Sequence, residues 1–133
     1  KHFCIQTFQA TTTTYDSTSS VRQMDSSQIV WSHATNSQSE LEKALSAESP
    51  VNFIEADVIL SEAEGSEPIM AHPPATTSDL TFKDFVEKIL TAQTAFKAMK
   101  AAAASGSGLG IKLDFKQPEA VGHCINHIKE RLA

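Results

Sequence analysis

The stretch GIKLDFK, residues 110–116, alternates apolar and charged side chains along its whole length. Read as a β-strand, it has one apolar face, and its other face carries three charged residues: Lys112, Asp114 and Lys116. A surface strand of an antiparallel sheet, with one face in water, would explain these charges. The alternative is that the charged face looks into a functional site. This strand alone leaves both interpretations open.

The composition of the chain limits its class. Its 133 residues, 41% hydrophobic and 20% charged, are typical of one globular domain. The formal net charge is −5 and the lysines and arginines form no cluster, which argues against a nucleic acid or an anionic membrane as the main partner. No apolar run has the length of a membrane-spanning helix, so we predict no transmembrane segment.

Two regions differ in their patterning. Residues 1–28 are rich in Ser and Thr and predict a flexible N-terminal arm, the start of which could pair as a strand. Residues 29–133 predict one domain. The two cysteines, Cys4 and Cys124, are compatible with a disulfide or with two free thiols. The sequence leaves a secreted and a cytoplasmic location equally open.

Strand-like and helix-like segments alternate from residue 29 onward. QIVWSH (28–33), VNFIEADVIL (51–60), PIMAH (68–72) and GIKLDFK predict strands. A helix is expected after a capping box of Ser37 and Glu40, and a second from Ser78 or Asp79 to about residue 104. A third follows Pro118. This order predicts a parallel α/β architecture, in which both faces of the sheet are covered.

Several polar residues fall at the ends of the predicted strands. Glu55 and Asp57 share one face of the second strand, and His33 lies on the same face of the first strand as Trp31. His72 ends the short PIMAH segment. In α/β folds the carboxyl ends of the strands are where sites are built. A lone histidine there is more often structural, so the joint occurrence of these residues is what indicates a site.

The residue types suggest a particular chemistry. Converging carboxylates must be neutralised, either by a cation or by the neighbouring lysines. Oxygen ligands favour Mg²⁺ or Ca²⁺ over Zn²⁺. Two histidines beside such an ion could act as nucleophile or base and as general acid in phosphodiester cleavage. A lysine could hold the phosphate oxygens.

Four segments together resemble the menorin family: WSHATNSQSELEKAL (31–45), FIEADVIL (53–60), PIMAHPPATTSDLTFKDFV (68–86) and GIKLDFK. That family is grouped with the phospholipase C-like phosphodiesterases, alongside the glycerophosphodiester phosphodiesterases and the spider-venom sphingomyelinase D enzymes. The resemblance implies a TIM (β/α)₈ barrel. A complete barrel needs about 250 residues, so this chain would supply the first three to four βα units of a partial TIM barrel.

The resemblance also implies roles for individual residues. His33 and His72 would be the acid/base or nucleophilic pair, and Lys116 would contact the phosphate. Asn36 would orient the substrate or His33, whereas Lys112 would either bind substrate or act as a charge partner of the carboxylates. One divalent ion, Mg²⁺ or Ca²⁺, would be bound by three carboxylates: Glu55, Asp57 and Asp114.

Three functions follow from these observations. The first is metal-dependent cleavage of a phosphodiester in a phospholipid or a glycerophosphodiester. The second is a non-catalytic extracellular scaffold that binds a cell-surface protein partner, as the menorin resemblance allows. The third is a truncated, inactive isoform. A half-barrel exposes an open sheet edge, so we also expect self-association.

Overall fold

The computed structural model describes residues 2–5, 27, 29–62, 65–101 and 109–133. The strands within these ranges are β1 (His2–Ile5), β2 (Trp31–Ser32), β3 (Phe53–Leu60), β4 (Pro68–Met70) and β5 (Gly110–Phe115). The helices are α1 (Gln38–Leu45), α2 (Phe82–Ala101) and α3 (Glu119–Leu132). The predicted N-terminal arm lies largely outside the described residues, apart from β1 and Ser27.

The strands form one mixed sheet in the order β1-β5-β3-β2, with β4 paired to β3. β2, β3 and β5 run parallel to one another, as the alternation of strands and helices predicts. β1 is antiparallel to β5 and β4 is antiparallel to β3. A sheet parallel throughout was therefore the wrong expectation. β4 returns directly after β3, and a short return connection produces an antiparallel pair. The fold is mixed α/β, with three helices in the described part.

The caps of the helices explain where the chain turns. Ser37 and Glu40 form the predicted capping box at the start of α1. The second helix begins at Phe82, so the predicted start at Ser78 or Asp79 is wrong. Thr81 instead forms an isolated bridge with Ile69, and its hydroxyl accepts the Asp84 backbone N–H at 3.1 Å. The segment before Phe82 is thus held as an extended chain. Residues 102–104 of the predicted helix lie outside the described residues.

One face of the sheet forms the hydrophobic core. The alternate residues of β3 and β5, among them Ile54, Val58 and Leu113, are buried in one cluster with Phe85 of α2 and Cys124 of α3. The Cys124 thiol is free, and burial raises its pKa to about 12. No helix in the described part of the chain has the length and hydropathy needed to cross a membrane.

The opposite face of the sheet carries the charged residues of β3 and β5, and Phe53 precedes them on this face. Gly110 lies opposite Phe53 in the parallel register of β3 and β5. A Cβ atom at Gly110 would overlap the Phe53 ring, so only glycine leaves room for this ring. The Phe53 ring therefore packs over Gly110, next to the charged pair of Glu55 and Lys112.

We expect Gly110→Ala to lower the free energy of unfolding by about 1–3 kcal/mol, because the added methyl group displaces the Phe53 ring. Gly122→Ala is the matched control, since this glycine lies in α3 with nothing near its missing Cβ. The free energy of unfolding of this control should rise by about 0.5–1 kcal/mol, because alanine favours the helix more than glycine does. Urea unfolding measures both values. Equal stability of the two variants would contradict the packing at Gly110.

Candidate functional site

The register between β3 and β5 brings the charged residues together in pairs. Glu55 lies opposite Lys112, and Asp57 lies opposite Asp114. These side chains point away from the core, because their neighbours in sequence fill it. The charged face of GIKLDFK therefore lies beside the charged face of β3.

Glu55 is shared by two partners. Its Oε1 accepts a hydrogen bond from Lys112 Nζ at 2.6 Å, and its Oε2 lies 2.8 Å from His33 Nδ1. The Lys112 bond, followed by the His33 bond, holds the pKa of the Glu55 carboxyl below its ordinary value. The same bond to Glu55 raises the pKa of Lys112. The Glu55 side chain is 19% exposed, so this ion pair is partly shielded from water.

Asp57 and Asp114 share a single lysine. Lys116 Nζ lies 2.9 Å from Asp57 Oδ1 and donates to Asp114 Oδ2 at 2.7 Å. The bond to Asp114 is the main cause that raises the pKa of Lys116. Only 8% of the Asp57 side chain is exposed. The bridging ammonium group therefore compensates a carboxylate that is nearly buried.

Asn36 fixes the second oxygen of Asp57. Its Nδ2 donates to Asp57 Oδ2 at 2.8 Å, while its Oδ1 accepts the Asp57 backbone N–H, also at 2.8 Å. This reciprocal pair ties the loop after β2 to β3. These bonds orient Asp57, and the predicted role of Asn36 in orienting the substrate or His33 stays a prediction.

His33 is positioned by the turn that follows β2. Ala34 adopts a left-handed backbone conformation (φ 49°), and the Thr35 N–H donates to the Glu55 carbonyl oxygen at 2.9 Å. Because Glu55 is ionised and can only accept, His33 Nδ1 carries the hydrogen of their bond. In the neutral form of the ring, the other nitrogen, Nε2, has a lone pair. The His33 side chain is 70% exposed, so Nε2 is accessible to a ligand.

His72 lies apart from the ion pairs. Its Nδ1 is 2.6 Å from the Pro73 carbonyl oxygen, and no described hydrogen bond joins it to the three carboxylates. The adjacent Ala71 N–H donates to the Asp57 carbonyl oxygen at 3.1 Å. His72 and Asn36 line a common cavity of about 250 Å³. The structure thus places His72 on the rim of the site, in a cavity that it shares with Asn36, and Asn36 in turn binds Asp57.

The donor types suit a hard divalent ion, but the arrangement differs from a metal centre. Among the described residues, no group of three or more His, Cys, Asp or Glu side chains is arranged to hold a metal ion. Lys116 lies between Asp57 and Asp114, and Lys112 binds Glu55. Of the two means of neutralisation that the sequence allows, the structure contains the lysines, which leave the five groups with one net negative charge.

Sequence reasoning overlooked an aromatic contact at His33. The Trp31 and His33 rings are stacked, with centroids 5.7 Å apart and planes at 21°. Trp31 also packs against Phe53, with a centroid separation of 4.4 Å. The alternation of β2 places Trp31 and His33 on one face, and this signal would have indicated the contact.

Glu55→Gln should make the free energy of unfolding less dependent on pH at acid pH. A carboxyl with a lowered folded pKa stabilises the fold above its unfolded pKa of about 4.3, and this stabilisation is lost as the pH falls through the folded value. The amide of the variant has no such proton to bind. Urea unfolding across this acid range should give a shallower slope for the variant. Glu48→Gln, an exposed site outside the cluster, is the control. Equal slopes for Glu55→Gln and the unaltered chain would contradict the pairing.

Comparisons with known proteins now identify the family. The model of the Menorin N-terminal domain matches residues 25–133. The human protein named Protein FAM151B is 38% identical over 94 residues, which cover 69% of this chain and 28% of that protein. The chain thus aligns with little more than a quarter of its relative's length. No solved structure gives a significant match. The match over most of the chain shows that it belongs to the menorin family.

Proposed function

We propose that this chain carries part of a phosphodiesterase site that acts on a lipid or glycerol-phosphate type of phosphodiester. One observation carries the proposal: imidazole, carboxylate and ammonium groups from three parallel strands and their loops converge on one face of the sheet. The resemblance of the menorin family to phospholipase C-like phosphodiesterases supports the same reaction type.

His33 is the nucleophile or base in this proposal. Its Nδ1 hydrogen is held by Glu55, which leaves the accessible Nε2 two possible roles. It would attack phosphorus while the P–O bond to the leaving alcohol breaks and that oxygen takes up a proton, or it would accept the proton of an attacking hydroxyl group. The Glu55 carboxylate also stabilises the imidazolium that forms when Nε2 takes up a proton. This arrangement requires Glu55 to stay ionised, and its lowered pKa favours that state.

The two lysines supply the positive charge for a phosphate. An ammonium group has three N–H donors, and the described contacts of Lys116 with Asp57 and Asp114 use two of them. The third can donate to a non-bridging phosphate oxygen. Lys112 uses one donor on Glu55 and lies beside the same face. Both lysines are thus held in place before substrate binds, which reduces the entropy lost on binding.

A divalent ion, Mg²⁺ or Ca²⁺, is the cofactor of this proposal, with Glu55, Asp57 and Asp114 as its ligands. When bound, it would neutralise charge on the phosphate oxygens. The lysines hold these carboxylate oxygens, so the ion would bind only in place of part of the lysine contacts. His72 and Asn36 line the cavity next to this point, where His72 would act as the second acid or base.

The proposal includes a TIM barrel as the complete fold. β2, β3 and β5 are parallel neighbours with helices between them, as consecutive strands of such a barrel are. β2 has a partner on one side in the described sheet, and its open edge would pair with further strands or with a second copy of the chain.

A non-catalytic scaffold is the second candidate. Lys112 and Lys116 neutralise most of the carboxylate charge without a cofactor, so the cluster can hold β3, β5 and the loop after β2 together without any reaction. In that case the exposed residues around His33 would contact a cell-surface protein.

His33→Asn tests catalysis. We expect this change to lower turnover about 10²- to 10⁴-fold on a panel of glycerophosphodiesters and phospholipids with Mg²⁺ or Ca²⁺, because the base or nucleophile is lost. His123→Asn, an exposed change on α3, should leave turnover unchanged. Calorimetry with each ion tests the cofactor in parallel. Equal turnover of His33→Asn and the unaltered protein would contradict the role of His33, and absence of both turnover and ion binding in a full-barrel form of the protein would favour the scaffold.

A further inference from the structure

Three rings and one glycine form a continuous row on the face of the sheet that carries the charged residues. Gly110 leaves room for the Phe53 ring, Phe53 packs on Trp31, and Trp31 stacks on His33. The parallel register of β2 and β3 aligns Trp31 with Phe53, and the strand period brings His33 to the same face as Trp31. Phe53 is buried, so the row is anchored at its inner end.

The hydrogen bond to Glu55 does not fix the orientation of the plane of the His33 ring. It fixes which ring nitrogen carries the hydrogen, because only Nδ1 faces the carboxylate. A ring that is 70% exposed and held at one atom can still swing about that bond. A contact on the flat face of the ring removes this freedom, and the Trp31 indole, with planes only 21° apart, provides such a contact.

We propose that Trp31 is a positioning residue that sets the plane of the His33 ring, while Glu55 sets its tautomer. Trp31 thereby determines the direction in which Nε2 points, and Phe53 with Gly110 holds Trp31 in place. The effect on turnover rests on the proposed function of His33. The effect on the ring itself does not.

The interaction energy of an aromatic pair limits how strongly Trp31 can orient the His33 ring. A face-to-face or offset aromatic pair has a modest interaction energy, enough to favour one ring orientation about two- to tenfold over others. A comparable fall in kcat is expected when the stack is removed, with KM unchanged, since Trp31 need not touch the substrate. Trp31 is the only tryptophan in the chain, so no other indole can replace it.

Two substitutions separate stacking from simple bulk. Trp31→Phe keeps an aromatic face against His33, whereas Trp31→Leu keeps apolar volume without a ring. The His33 ring protons, observed by NMR in the whole chain, should carry a ring-current shift that Trp31→Phe reduces and Trp31→Leu abolishes. The ¹⁵N shifts of the His33 ring report its tautomer. They should change in Glu55→Gln and stay unchanged in Trp31→Leu.

The outcomes distinguish this inference from the proposed function. His33 proton shifts that are the same in Trp31→Leu as in the unaltered chain would overturn the positioning role. A lost ring-current shift in Trp31→Leu, with kcat lowered about two- to tenfold and restored in Trp31→Phe, supports both. A lost shift with unaltered turnover contradicts a positioning role of Trp31 in catalysis, whereas His33→Asn tests His33 itself.

Discussion

The parallel register between β3 and β5 is the constraint on which the site depends. It sets Glu55 opposite Lys112, so that opposite charges face each other at this position of the two strands. Two residues further along, it sets Asp57 opposite Asp114, so that like charges face each other. A slip of one residue would turn the charged faces into the core and the apolar faces outward. The buried residues on the other face of the same strands, such as Ile54 and Leu113, exclude that slip. The core therefore specifies the site.

The two lysines neutralise most of the charge of the three partly buried carboxylates. Ionised carboxylates that lose water need compensating charge and hydrogen bonds. Lys116 supplies both to Asp57 and Asp114, and Lys112 does so for Glu55. In the proposed function the same lysines would bind the phosphate, so their structural and proposed roles fall on the same atoms. Any divalent ion that binds these carboxylates must compete with Lys112 and Lys116 for their oxygens.

Much of this arrangement could be predicted from sequence, because period-two alternation determines which side chains share a strand face. That rule gave the charged faces of β3 and β5, and the Ser37–Glu40 capping box gave the start of α1. The start of α2 was misplaced, since the long-range bridge between Thr81 and Ile69 overrides local helix signals. The antiparallel pairing of β1 and β4 could not be predicted either, because the sequence pattern identifies strands but not their partners. Local sequence also could not show that Asn36 binds Asp57 or that His72 lies on the rim, because both follow from the packing of loops.

A charge-exchange experiment tests the central pairing of this site most directly. Glu55→Lys and Lys112→Glu each place like charges at facing positions of β3 and β5, whereas the double variant restores opposite charges. We predict that each single change lowers the melting temperature and that the double variant recovers most of the loss. A double variant that is destabilised by the sum of the two single changes would show that these residues do not face each other, and would contradict the account.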